Sequence, residues 1–329
     1  MGVDIKDVLG AGSAVEKLID TISIAIGKLY EPIHLKRMAK AKAFSISAFS
    51  TVISDNSYVP IDYKESGISI SNDIDEMAKR AAKRCNFQEM QRQQNMEQII
   101  GQTYLELENE RVVSSESLQR EWVSRFFRSS GDISEENLQH LWSRVLAGEI
   151  KQPGSCSFRT MSVLENLNVQ EAMLFSNILP YFVKWDEFYV TAQYLHLVAD
   201  ASCGKMGFSN SDILRLDECG LVNDTPNWKV NAYVQDPHRI ICHTDRIALV
   251  ANQTGKNTNI ECECFRLTSA GEQLRRIIKP ICSERYILML NDCLEYNREK
   301  IKLSAHKIIS MNGDHLLLDY DDNLLPYND

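Results

Sequence analysis

The residues best equipped for chemistry are nine cysteines and seven histidines. Only Cys262 and Cys264, a Cys-x-Cys with Cys242 and His243 about twenty residues upstream, approach the spacing of a zinc site. The alternation Ile260, Cys262, Cys264 reads more simply as a strand in which cysteine serves as a small apolar side chain. His140 falls on the polar side of its helix and should face solvent. The chain has no glycine-rich phosphate loop, no Gly-x-Ser-x-Gly elbow and no His-Glu-x-x-His helix. We therefore expect no catalytic residues, no metal and no cofactor, and a protein that is not an enzyme. An odd cysteine count without framework spacing, and no secretory leader pattern, point to free thiols in a reducing cytoplasm.

Binding chemistry is better represented. Lys36, Arg37, Lys40 and Lys42 form one basic cluster. Lys79, Arg80, Lys83 and Arg84, with Arg92 beyond them, form another on a helical stretch. Both are nucleic-acid-binding candidates, although a solvated helix face also explains the second. With a formal net charge of -9, any phosphate contact has to be local, because polyanion binding is driven by basic density.

A third candidate is apolar. Val15, Leu18, Ile19, Ile22, Ile26 and Leu29 recur at helical spacing, while Glu16, Asp20 and Lys28 lie off the stripe. Ser13 can cap this helix and Pro32 marks its end. Such a stripe most often packs against a neighbouring domain or helix. Followed by basic residues it can also face an anionic membrane. A lone spanning helix is excluded, since each charge would cost roughly 2 to 3 kcal/mol near the bilayer centre. An oligomer could insert it with the stripe toward lipid and Glu16 and Asp20 lining a pore.

These segments have to be positioned by the rest of the chain. Its 329 residues, 44% of them apolar and 25% charged, can bury more than one core. We read 1–53 as the amphipathic membrane-active or oligomerisation segment and 54–114 as a loop and a long helical arm. Residues 115–185 read as a helical bundle, with Leu118, Trp122 and Phe126 on one helix, and Leu138, Leu141, Trp142, Val145 and Leu146 on the next, capped by Ser134. Asn168 with Glu171 spells a capping box. For 186–282 the order is a helix around Glu187 to Val198, a short helix, two or three strands and a closing helix, which is winged-helix-like. Residues 283–329 are an extension whose Asn312-Gly313 is the strongest hairpin signal. The expected fold class is mainly α, with a small α/β winged-helix-like domain.

Three stretches carry a resemblance: SAVEKLIDTISIAIGKLYEPIHLKRMAKAKA; WVSRFFRSSGDISEENLQHLWSRVLAGEIKQPGSCSFRTMSVLENLNVQEAMLF; and DILRLDECGLV with FRLTSAGEQLRRI. Together they resemble a bacterial family of unknown function, with Leu-Trp-Ser-Arg-Val-Leu-Ala-Gly-Glu as the most specific block. The middle stretch is similar to abortive-infection alpha proteins, and the whole looks like the channel effectors of the Hailong antiphage system. The loop at 54–72 departs from that pattern, where relatives continue as a charged helix. The resemblance implies an antiphage effector, homo-oligomeric and in the extreme a tetramer, cytoplasmic and acting on the inner membrane. It also implies control by short single-stranded DNA from a partner nucleotidyltransferase. A soluble sensor or adaptor for nucleic acid or protein is the alternative.

Overall fold

The computed structural model describes residues 13–26, 63–64, 67–68, 74–193, 208–225, 228–234, 238–253, 258–282, 286–287, 290, 294, 301–313, 315–321 and 323–325. The chain forms two compact units, Met1–Cys156 and Ser157–Asp329.

The first unit is helical. Helix α1, Ser13–Ile26, precedes a short hairpin of β1, Tyr63–Lys64, and β2, Gly67–Ile68. These two strands are the described part of the loop expected at 54–72. Helix α2, Ile74–Leu107, follows, then α3, Arg120–Ser130, and α4, Glu136–Lys151. An aromatic chain holds α3 to α4: Phe126 lies 5.2 Å from Trp122 and 5.2 Å from Trp142 between ring centroids. The Trp122 Nε1–H donates to the Cys156 carbonyl at 2.7 Å. Helix α4 is capped by Glu135, whose carboxylate accepts from the Asn137 N–H at 2.8 Å, and not by the expected Ser134. At its other end the buried Glu149 carboxylate accepts from Gly154 N–H, Ser155 Oγ–H and Cys156 N–H at 2.7, 3.0 and 2.9 Å. One acid thus fastens the Pro153-Gly154-Ser155 turn, and three donors compensate its burial.

The second unit opens with α5, Phe158–Asn166, and α6, Val169–Ile178, the latter started by the Asn168–Glu171 capping box. After these the architecture departs from expectation. The unit is built on a nine-stranded antiparallel sheet: β3 Val183–Trp185, β4 Phe188–Ala192, β5 Val222–Asn223, β6 Lys229–Val234, β7 Arg239–His243, β8 Ile247–Gln253, β9 Thr258–Leu267, β10 Ile301–Asn312 and β11 His315–Asp319. The order is β11-β10-β8-β7-β3-β4-β9-β5, with β6 also on β9. Helices α7, Asn210–Glu218, and α8, Ser269–Ile278, complete it.

The expected mainly α fold with a small winged-helix-like domain is therefore corrected: the C-terminal part is sheet-rich. Two features account for the difference. The stretch around Glu187 to Val198, expected as helix, begins as strand β4, because Phe188, Tyr189, Val190 and Thr191 favour a pleated surface. Asp186 in the left-handed region (φ 49°) turns the chain tightly out of β3. In addition, β10 pairs with β8 from Ile301↔Gln253 to Lys307↔Ile247, which draws the expected extension into the sheet.

Two glycines have clear causes. A Cβ on Gly271 would collide with the Leu221 carbonyl oxygen, so the Thr-Ser-Ala-Gly entry into α8 is a packing requirement. Gly313, at φ 62°, turns β10 into β11 where Asn312-Gly313 signals a hairpin. The main core on one sheet face includes Trp185, Ile241, Leu249, Ile260 and Ala305. A smaller one, Ala248, Val250 and Leu318, lies apart from it.

Candidate polyanion-binding arm

Helix α2 contains 34 residues, about 51 Å at 1.5 Å per residue. Its C-terminal half buries Asn95, Ile99, Ile100, Thr103, Tyr104 and Leu107 at helical spacing, packed on α3 and α4. Hydrogen bonds across the bundle fix its rotation: Asn95 Nδ2–H donates to the Gly131 carbonyl at 2.8 Å, and Thr103 Oγ1–H reaches the Ser143 carbonyl at 3.3 Å. The other half is different. Every residue from Met77 to Arg92 is exposed.

At 100° per residue, Lys79, Lys83, Phe87 and Met90 line one side of this exposed segment, and Arg80 and Arg84 flank them within about 140° of arc. The opposite side is small over the first turns, with Ala78, Ala81, Ala82 and Cys85, and carries Gln88, Glu89 and Arg92 toward the foot of the segment. Between Met77 and Arg92 five basic residues meet one acid, Glu89, in a chain whose net charge is -9. Arg92 does not belong to the basic face. Its guanidinium donates to Asp132 at 2.8 and 3.2 Å and to Glu89 at 3.2 Å, and the Asp132 hydrogen bond holds its pKa above the ordinary value. Arg92 braces the foot of the arm, and Lys79, Arg80, Lys83 and Arg84 above it are exposed.

The apolar stripe of α1 has another fate. Val15, Leu18 and Ile22 are buried against α2, α3 and α4, and Ile19 is half-buried. The Lys17 ammonium donates to the Ser114 carbonyl at 3.0 Å, and desolvation lowers its pKa, an effect opposed by Glu116 and Glu149. In this conformation Val15, Leu18 and Ile22 face protein, the packing alternative that the periodicity left open. Glu16 and Asp20 are exposed on the outer side of the helix. Leu29, Lys36, Arg37, Lys40 and Lys42 lie outside the described residues, as does the side chain of Ile26. Among the described residues no helix is long and apolar enough to cross a membrane.

The sheet unit holds chemistry of its own, part of it legible in the sequence: β9 carries Cys262 and Cys264 as the small apolar strand residues that their alternation implies. Cys242, Cys262 and Cys264 sit in its apolar core, and burial pushes the Cys264 thiol up to about 12. Among the described residues no cluster of three potential metal ligands occurs. On β10 the His306 Nδ1–H donates to the Asp319 carbonyl at 3.0 Å, so Nε2 accepts the Ser304 hydroxyl proton at 2.8 Å. Asn252 Nδ2–H in turn donates to Ser304 Oγ at 3.0 Å. Ser304 and His306 are only 6% and 5% exposed, so this hydroxyl–imidazole pair ties β8, β10 and β11 together and is closed to a substrate. A cavity of about 240 Å³ is lined by Phe188, Asn223, Arg266, Thr268, Ser269 and Glu272. Arg266 lies over Trp228 at 5.2 Å and Phe188 at 5.7 Å from the ring centroids. Desolvation raises the Glu272 pKa, with Arg276 and the Tyr189 N–H opposing.

Residues 79–291 match the family described as protein of unknown function DUF2806, and the chain belongs to that family. Neither curated proteins nor solved structures include a match to it. The matched region takes in the basic face of the arm and most of the sheet.

Proposed function

We propose that this DUF2806 protein acts by binding, not catalysis, and that its arm docks a polyanion, a single-stranded nucleic acid above all. One observation carries the reading. Lys79, Arg80, Lys83 and Arg84 share a helix side with Phe87, on a segment exposed along its whole length. Basic side chains follow phosphates and an exposed aromatic ring stacks on a base, which is the chemistry of sequence-tolerant single-strand binding. A phosphate-only ligand would leave Phe87 without a role.

The test is the binding of a 12-nucleotide single-stranded DNA followed by anisotropy across a salt series. About four phosphate contacts predict a slope near -3 in log affinity against log salt. Reversing Lys79→Glu and Lys83→Glu together should weaken binding at least tenfold at low salt, with the melting curve unchanged. Absence of binding at 50 mM salt, or equal binding by the double variant, rejects the reading.

The antiphage setting, the inner membrane as target, a tetramer and a partner nucleotidyltransferase rest on resemblance alone. Within that setting, short DNA on the arm is the controlling signal and α1 is the segment released. Release is expensive: exposing Val15, Leu18 and Ile22 costs about 5 to 8 kcal/mol at ordinary burial energies, returned only when lipid takes them up. Dye release from anionic liposomes, with and without the 12-mer, separates an adaptor from a membrane effector.

A further inference from the structure

The two edges of the sheet are built differently. Along β9, the edge strand β6 carries Lys229, which pairs across to Glu263 at 3.3 Å and Glu261 at 3.7 Å. A charged lysine on an edge strand discourages a further strand from adding there. The opposite edge is β11, His-Leu-Leu-Leu-Asp, about 17 Å long, which pairs only with β10 among the described residues. It has neither lysine nor proline. Leu317, at its centre, is 57% exposed.

We propose that a second copy of this chain adds to β11 edge to edge, antiparallel, about a twofold axis at Leu317. The strand is self-complementary in this register. Leu317 meets its own counterpart, Leu316 meets Leu318 of the second copy, and His315 meets Asp319 of the second copy, so the outer pairs join an imidazole to a carboxylate at both ends. A one-residue slip destroys this match, because it sets leucines against the polar ends. The contact is isologous and closes at two copies, as a twofold interface must. It requires no movement of the sheet, since an edge strand already presents alternate N–H and C=O groups outward. It is independent of the arm: loss of DNA binding would leave it standing.

The experiment uses the full chain at tens of micromolar. Sedimentation velocity should show a dimer, and Leu317→Lys should weaken association at least tenfold. In a Cys85→Ser background, Leu317→Cys should form a disulfide-linked dimer under mild oxidation, because directly opposed residues of an antiparallel pair hold their Cβ atoms about 4.5 to 5.5 Å apart. Val112→Cys, at a position 86% exposed in the helical unit, should give no linked dimer above the parent. A monomeric parent overturns the proposal. So does a dimer that survives Leu317→Lys, or a Leu317→Cys variant that links no better than the Val112→Cys control. The cysteine variant gives its signal by gaining a bond, so it decides the matter even if the lysine variant is poorly folded.

Discussion

The two halves of α2 are one continuous helix with two different reasons for existing. From Asn95 to Leu107 the helix is held by burial: Ile99, Ile100 and Leu107 are fully covered and Thr103 is hydrogen-bonded twice across and along the bundle. From Met77 to Arg92 every residue is exposed, and the helix there draws on Ala, Lys, Arg, Gln and Glu as strong helix formers and on continuity with the anchored half. A helix segment whose residues are all exposed can offer them to a partner. Burial therefore assigns one half to stability and the other to recognition, and substitutions should separate the two.

The largest effect falls on the buried half. Ile100→Ala removes a fully covered side chain and leaves a cavity, so chemical denaturation should show a loss of about 2 to 5 kcal/mol. DNA affinity of the protein that remains folded should not change. A loss of affinity without a loss of stability would break the division. The mirror experiment is Asn86→Pro in the middle of the exposed half. Proline there opposes the helix by about 3 kcal/mol, more than an uncovered segment can resist. Circular dichroism should report fewer helical residues and anisotropy a loss of DNA binding, while the midpoint of global unfolding stays in place. A drop in that midpoint as large as for Ile100→Ala would mean that the arm belongs to the core after all.

The same distinction explains what could be read from the sequence. The stripes of α1, α3 and α4 were legible because a buried helix face repeats every three to four residues. The Asn168–Glu171 box and the Asn312-Gly313 turn were legible because each is a local code. The block Leu141 to Glu149, the most specific part of the family resemblance, has a structural account: Trp142, Val145, Leu146 and Ala147 are core and Glu149 fastens a turn. What could not be read is non-local. The β3–β4 turn through Asp186 carries no glycine or asparagine, and β10 finds β8 about fifty residues back along the chain. No periodicity announces that pairing, so the sequence alone reads as a small domain with an extension. For the site, the bases could be listed from sequence, but which of them face outward could not. Val15, Leu18 and Ile22 had a stripe suited to lipid and found protein instead.

Arg92 gives the smallest and most discriminating test. It is as basic as Arg84 and lies on the same exposed half, so a ligand that responds to charge density alone should sense its removal as strongly as that of Arg84. Its guanidinium is already engaged by Asp132 and Glu89, and the geometry therefore predicts otherwise. Arg92→Ala should leave affinity for the 12-mer within about twofold and the salt slope unchanged. Arg84→Ala should lower the slope by about 0.7, the contribution of one phosphate contact on a single strand. Because exposed ion pairs add little to stability, neither variant should move the unfolding midpoint appreciably. Equal losses from the two would show that the polyanion reads the total charge of the helix and not a face. In that case Phe87 and Met90, placed beside the lysines by the helical repeat, would have no part in recognition, and Phe87→Ala would bind as the parent does.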